Sequence, residues 1–439
     1  MKAVSGFSKM SKEEKISWLS NQLNGEAQTM VNQMSIFWHQ DEVIQKRLDE
    51  FSENTLTNFD MPFGIAPNFL INGKTYSVPM VIEESSVVAA ASLGAKFWYE
   101  RGGFTSRVLS TNKVGQVHFL WQGKKEKLFN FFKHTKMEIL EEVRHLTVNM
   151  EKRGGGVLSV EIIDLTEKME NYFQLKLEFD TCDAMGANFI NSILEEVSVV
   201  FKQKLSQDDT FLASEKDLQI IMCILSNYTP DCLVECSVQC PIEDLGNLNG
   251  LEPRKFAERF AAAVKIAEID TSRAVTHNKG IMNGIDAVVL ATGNDFRAIE
   301  ACAHAYAARG GQYRSLSKVE LTDDTFKFSL TVPLSVGTVG GLTTLHPLAK
   351  TSLAILEQPS AKELMQVIAA VGLAQNFGAV KSLVTTGIQK GHMKLHLLNV
   401  FNQLGATTEQ IEKGKAYFAD KVVSFNAVRN YLETTKQLQ

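Results

Sequence analysis

At 439 residues the chain exceeds what one hydrophobic core usually serves, so two or three domains are expected. Apolar residues make up 44% and charged residues 22%, the balance of a folded globular protein, and a net charge of −5 argues against a nucleic acid or an anionic membrane as principal partner. The six cysteines (Cys182, Cys223, Cys232, Cys236, Cys240 and Cys302) form no CxxC pair, which removes the strong zinc and thioredoxin signals and fits free thiols in a reducing cytoplasm.

The chain begins MKAVSGFSKMSKEEKISWL, polar where a signal peptide needs an apolar stretch, and no apolar run approaches the ~18 residues of a membrane span. From Ser8 to about Leu56 the spacing of Trp18, Leu19, Leu23, Met30, Val31, Met34 and Phe37 predicts amphipathic helices. Asn72-Gly73 then predicts a tight hairpin, followed by a helix that starts at Glu84, Ser85 and Ser86 and ends near Gly102 and Gly103. Glutamates at such a start suit the helix dipole whether or not they do chemistry.

Between Phe104 and about Leu225, strands at Val114–Trp121, Val157–Leu165 and Tyr172–Phe179 alternate with helical segments, which reads as an α+β insert. Within it, DTCDAMGANFINSILEEV runs from a strand through a glycine turn into a helix, a cradle for a pyrophosphate, although no GxGxxG supports a Rossmann fold. Cys232, Val234, Cys236, Val238 and Cys240 alternate with other residues, as in a strand with one buried face.

Thr271 to Gly311 carries the densest pattern: Asn278-Lys279-Gly280, an apolar run Ala287–Ala291 that reads as a buried strand, then Asp295 as N-cap of an alanine-rich helix. This delivers a cation and an anion on loops at the two ends of one rigid unit. Thr331 to His346 predicts a strand entering a loop with Gly337, Gly340 and Gly341, and Leu364–Ala374 an apolar helix. In GIQKGHMKLHLLNV, His392 and His396 are four apart, but neither HExxH nor a third acidic ligand accompanies them, so no metal is expected.

These segments, in this order, resemble class II 3-hydroxy-3-methylglutaryl-CoA (HMG-CoA) reductase, from about Glu53 to about His396. The resemblance implies an α+β chain: a large mixed helix and sheet substrate domain over 1–109 and 226–388, an inserted ferredoxin-like, non-Rossmann dinucleotide-binding domain over 110–225, and a helical C-terminal flap over 389–439. By match to the family's motifs, Glu84, Lys279, Asp295 and His392 are catalytic; Ser86, Arg273 and Asn283 bind substrate; Asp183, Met185, Gly186, Asn188 and Asn227, with Ser226 beside it, lie at the cofactor. Ser85 replaces the family's proline, and Phe296 a frequent tryptophan.

The implied reaction takes HMG-CoA and two reduced nicotinamides to mevalonate and CoA through mevaldyl-CoA and mevaldehyde. Lys279 would steady the oxyanion, Glu84 donate a proton, His392 protonate the departing CoA thiolate and Asp295 hold Lys279 and Glu84 in register. NADPH is favoured over NADH by the biosynthetic direction, and a homodimer or an assembly of dimers follows from the family, with no nucleic acid and no membrane as partner. Two other readings stay open: a dimeric CoA-binding protein that has lost catalysis, and a lyase using Lys279 as a Schiff-base amine.

Overall fold

The structure is a computed structural model and describes residues 3–22, 27–385, 397–419, 421 and 423–437. By contact the chain divides into a unit Met1–Pro62 and a unit Phe63–Gln439. The first holds α1 (Lys12–Ser20), α2 (Ala27–Ser35) and α3 (Glu42–Asp49), as the amphipathic spacing predicts. Ser11 and Glu14 form a capping box at α1, Asp41 caps α3, and Lys12 pairs with Asp49 at 2.9 Å.

The second unit opens with the hairpin β1 (Phe63–Ile71) and β2 (Lys74–Val81), then α4 (Val87–Tyr99), β3 (Thr105–Val108) and β4 (Lys113–Leu120). Next come α5 (Lys125–Glu142), α6 (Arg144–Glu151), β5 (Gly156–Asp164), β6 (Tyr172–Asp180), α7 (Ala187–Gln207) and β7 (Gln219–Ser226). The chain continues through β8 (Leu233–Pro241), α8 (Pro253–Ile269), α9 (Thr271–Ala291), α10 (Phe296–Ala307), β9 (Ser317–Leu321) and β10 (Thr325–Pro333). It goes on to α11 (Leu342–Leu345), α12 (Pro347–Ile355) and α13 (Ala361–Val384), and ends in helices at 397–403, Thr408–Tyr417 and Phe425–Gln437.

Two four-stranded antiparallel sheets carry this unit, one in the order β3-β8-β10-β9 and one in the order β5-β6-β4-β7. The first sheet, the hairpin, α4, α8, α9 and α13 share one core, where Trp98 stacks on Phe326 and meets Phe377 edge-on. The second sheet packs α5 and α7 around a separate aromatic core of Phe119, Phe131, Phe173 and Phe201. Leu397, Phe401, Phe418 and Val428 make a third, smaller cluster near the C-terminus.

Two expectations are corrected. Ala287–Ala291 is not a strand but the last turn of α9, a single 21-residue helix from Thr271. Because α9 lies between β2, α8 and α13, it has no exposed residue from Ile281 to Ala291, and periodicity does not separate such a buried helix segment from a buried strand. Asn278 and Gly284, which look like breakers, have tertiary reasons to be there. The Asn278 amide donates to the Arg314 carbonyl at 2.8 Å and its oxygen accepts from Leu316 N at 3.0 Å. A Cβ on Gly284 would stand 2.9 Å from the Val371 carbonyl oxygen, so glycine lets α9 and α13 touch.

The second correction concerns α13, which runs well beyond Leu364–Ala374. At 24 residues it is the one helix among the described residues long and apolar enough to cross a membrane, yet 67% of its most apolar window is buried inside the fold.

Candidate active site

Glu84 lies on the turn between β2 and α4, and Lys279 projects from the middle of α9 rather than from a loop. The Lys279 ammonium donates to Glu84 Oε2 at 2.6 Å, and the Asn283 amide, one turn further along the same face, donates to the same oxygen at 3.3 Å. The pair is accessible, with the two side chains 60% and 38% exposed. Ser86, at φ 79°, forms the left-handed N-cap of α4 two residues beyond Glu84, which places it beside the cluster.

Arg273 sits on the same helix, six residues before Lys279, roughly 9 Å along the axis. It is half-buried, burial lowers its pKa from the ordinary guanidinium value, and among the described residues no carboxylate pairs with it. A desolvated guanidinium without an acid is suited to a carboxylate ligand. Under the helix, His277 Nε2 meets Ser317 Oγ at 2.7 Å, and Ser317 Oγ donates to Asn376 Oδ1 at 2.8 Å. Burial, then the nearby Arg273 charge, pushes the His277 pKa down to about 3, so the imidazole is neutral.

Asp295 behaves as the sequence predicts locally, capping α10 by accepting from Arg297 N at 3.1 Å and Ala298 N at 3.2 Å. Its carboxylate pairs with Arg297 at 3.4 Å; within the single chain no hydrogen bond or ion pair joins it to Lys279 or Glu84 among the described residues. His392 and His396 lie outside the described residues.

Of the residues expected at the cofactor, Asp183, Met185, Gly186 and Asn188 lie along the turn between β6 and α7 and the first turn of that helix, and Asn227 follows β7. Gly186, in the left-handed conformation at φ 93°, is the N-cap of α7; among the described residues no side chain caps that helix end, and no acid stands in its first turn. Its N–H groups are therefore free of side-chain competition, which fits the residues present to a pyrophosphate. Asn188 is exposed in that first turn and Asn227 is exposed just after β7. Met185 and Asn227 line one small cavity with Lys113, Thr229, Cys302 and Ser335, at the boundary between the second sheet and α10. Asp183 does structural work: its Oδ1 accepts from Ala361 N at 2.7 Å, at the start of α13, and its carbonyl accepts from Thr338 N at 2.8 Å. Gly337 N in turn donates to Asn294 Oδ1 at 2.8 Å, linking the glycine-rich loop to the Asp295 segment.

Residues 11–397 match the family model described as hydroxymethylglutaryl-coenzyme A reductase. The chain belongs to that family. An HMG-CoA reductase from Archaeoglobus fulgidus is 39% identical over 372 residues, covering 83% of this chain and 80% of its own. A probable HMG-CoA reductase from Borreliella burgdorferi is 35% identical over 354 residues, 80% of this chain and 78% of that one. Among solved structures, the class II HMG-CoA reductase of Streptococcus pneumoniae bound to NADPH in open conformations superposes with a TM-score of 0.72 at 36% identity, covering 97% of this chain and 100% of that one. The family is one of oxidoreductases, and the mixed helix and sheet architecture is theirs.

Sequence reasoning missed three features of this HMG-CoA reductase family member. The fourth strand of the second sheet, β7, went unread although Gln219–Ser226 is rich in isoleucine. Lys113, a lysine opening a strand, is buried. Asp286 and Glu300, on α9 and α10, face each other as paired acids: burial, then the Glu300 charge, pushes the Asp286 pKa up to about 8, and Asp286 Oδ1 is buried with no hydrogen-bond partner among the described residues. Only the spacing of two acids on neighbouring helices could have signalled that pair.

Proposed function

We propose that the chain reduces the thioester of HMG-CoA to the alcohol of mevalonate, releasing CoA and consuming two molecules of NADPH. The observation that carries this is the Glu84–Lys279–Asn283 cluster, one acid hydrogen-bonded to an ammonium and an amide on α9, the helix that also bears Arg273, which has no acidic partner among the described residues. The arrangement supports binding of the substrate's free carboxylate by Arg273 and placement of the thioester carbonyl near Lys279.

The reduced nicotinamide supplies the hydrides. Lys279 Nζ–H stabilises the oxygen that becomes negative at each transfer and is the nearest proton source. Glu84 orients the amine and, through the hydrogen bond between them, exchanges the proton with it; Asn283 keeps the Glu84 carboxylate in place. Ser86 contributes a hydroxyl at the same turn. His392, by its match to the family's flap histidine, protonates the CoA thiolate. Asp183, Met185, Gly186, Asn188 and Asn227 form the dinucleotide side within a domain spanning 110–225. Binding of NADPH by the Streptococcus pneumoniae structure supports that cofactor over NADH.

A homodimer is the working assembly, in which a second copy completes the surroundings of Asp295. The cytoplasm is its compartment, in keeping with six free thiols. A Schiff-base lyase is disfavoured by the exposed, ion-paired state of Lys279, because a nucleophilic lysine needs desolvation. Incubation of purified protein with HMG-CoA and either NADPH or NADH, read at the reduced-nicotinamide absorbance band, tests the proposal. Loss of absorbance with NADPH and appearance of mevalonate is expected; a folded dimer that oxidises neither cofactor identifies instead a CoA-binding protein without catalysis.

A further inference from the structure

Lys113 opens β4, and only 4% of the residue is exposed, yet among the described residues no carboxylate forms an ion pair with it. The titratable groups around it are Cys232, Asp180, Cys182 and Asp183, and burial pushes its pKa below the ordinary lysine value despite them. An unpaired ammonium in the interior carries a desolvation cost that an apolar side chain of the same length does not. Such a residue persists where it performs a task.

The task is visible in its contacts. Lys113 Nζ donates to Thr181 Oγ1 at 2.5 Å and to the Ala184 carbonyl at 2.8 Å, and Thr181 Oγ1 donates to that same carbonyl at 2.6 Å. This triangle closes the turn that joins β6 to α7. Ala184 stands three residues before α7 begins, so the amine lies near the positive end of that helix dipole. Asp180 and Asp183 act on the amine without forming an ion pair with it among the described residues, so an anionic ligand at that end of α7 meets favourable potential from both the helix and the amine. The side chain also lines the cavity that holds Met185 and Asn227.

We propose that Lys113 is a positioning residue for the dinucleotide: it locks the turn from Thr181 to Gly186 in the shape that receives the pyrophosphate and adds positive potential there. The inference rests on the cofactor reading above. It goes further by naming a residue in the second sheet, outside the motif segments, that sets cofactor affinity.

The test is direct NADPH binding to the full-length protein, followed by nicotinamide fluorescence without HMG-CoA, for wild type, Lys113→Met, Thr181→Val and the double variant. Lys113→Met is expected to raise the NADPH Kd about tenfold, leave the KM for HMG-CoA unchanged, and melt at the same temperature as wild type or higher, because a buried charge is gone. Thr181→Val should raise the Kd also, and the double variant should bind no more weakly than Lys113→Met, since both break one triangle. An unchanged Kd in Lys113→Met overturns the proposal. So does a lowered melting temperature with both KM values rising together, the signature of a lysine that only supports the fold. Wild type that binds NADPH but does not turn over HMG-CoA sinks the functional reading while the Lys113 comparison still decides; wild type that binds no NADPH overturns both.

Discussion

Lys279 and Lys113 are both amines at the heart of the molecule, and their surroundings differ in every respect. The Lys279 side chain is 60% exposed, ion-paired to Glu84, and carried on a helix anchored from below by the neutral His277. Lys113 is buried, with only 4% of the residue exposed, and has a hydroxyl and a carbonyl as partners. In the proposed mechanism substrate reaches the first, whose polar face is open. The second acts on backbone, and rigidity is what burial provides. In the proposed mechanism ligands complete the surroundings of the first, whereas the turn proposed for the dinucleotide is already tied by the second within the free chain.

The largest expected effect tests the open side. Lys279→Ala should lower kcat about 10²–10³-fold, the typical loss on removing one preorganised oxyanion donor, with the NADPH Kd unmoved. Stopped-flow turnover beside equilibrium binding separates the two, and a Kd that rises in parallel would blur the division between the sites. Arg273→Ala comes next: losing a charge-assisted fork should raise the KM for HMG-CoA about 10–100-fold. The same variant should lose its preference for HMG-CoA over the amide of its free carboxylate, and a retained preference would remove Arg273 from carboxylate recognition. Asn283→Ala, which removes one neutral donor to Glu84, is expected to cost about 3–10-fold in kcat/KM.

The smallest effect is on stability and depends on pH. The raised Asp286 pKa means the folded chain keeps a proton that the unfolded chain releases above its ordinary value near 4. Between about pH 4 and pH 8 the unfolded state binds fewer protons there, so this group lowers stability progressively as pH rises through that window. Asp286→Asn should therefore raise the melting temperature at pH 8 and make little difference at pH 4. Equal shifts at both pH values would show that the Asp286–Glu300 pair holds no proton.

Some of this was legible in the sequence because local chemistry and tertiary need agree. Asn72-Gly73 reads as a hairpin turn because both positions adopt positive φ, 49° and 83°, which those residue types tolerate. The alternation from Cys232 to Cys240 reads as a strand because β8 buries one face only. The motifs carried Glu84, Lys279 and Asn283 to one cluster. The misreading of α9 has the opposite cause: buried on several sides, it erased the periodicity that distinguishes helix from strand, and its asparagine and glycine answer to Arg314 and to α13 rather than to their neighbours in sequence. Lys113 was invisible because nothing local marks a lysine as buried; its meaning resides in Thr181 and Ala184, about seventy residues away.

The most direct measurement is the stoichiometry of the complete reaction: NADPH oxidised per CoA thiol released, with a thiol reagent and the nicotinamide absorbance followed in the same cuvette. Two NADPH per CoA, with mevalonate as product, is the predicted result for a four-electron reduction served by one Lys279–Glu84 pair. CoA released without NADPH oxidation would mark a thioesterase or lyase and contradict the assignment of these residues to reduction.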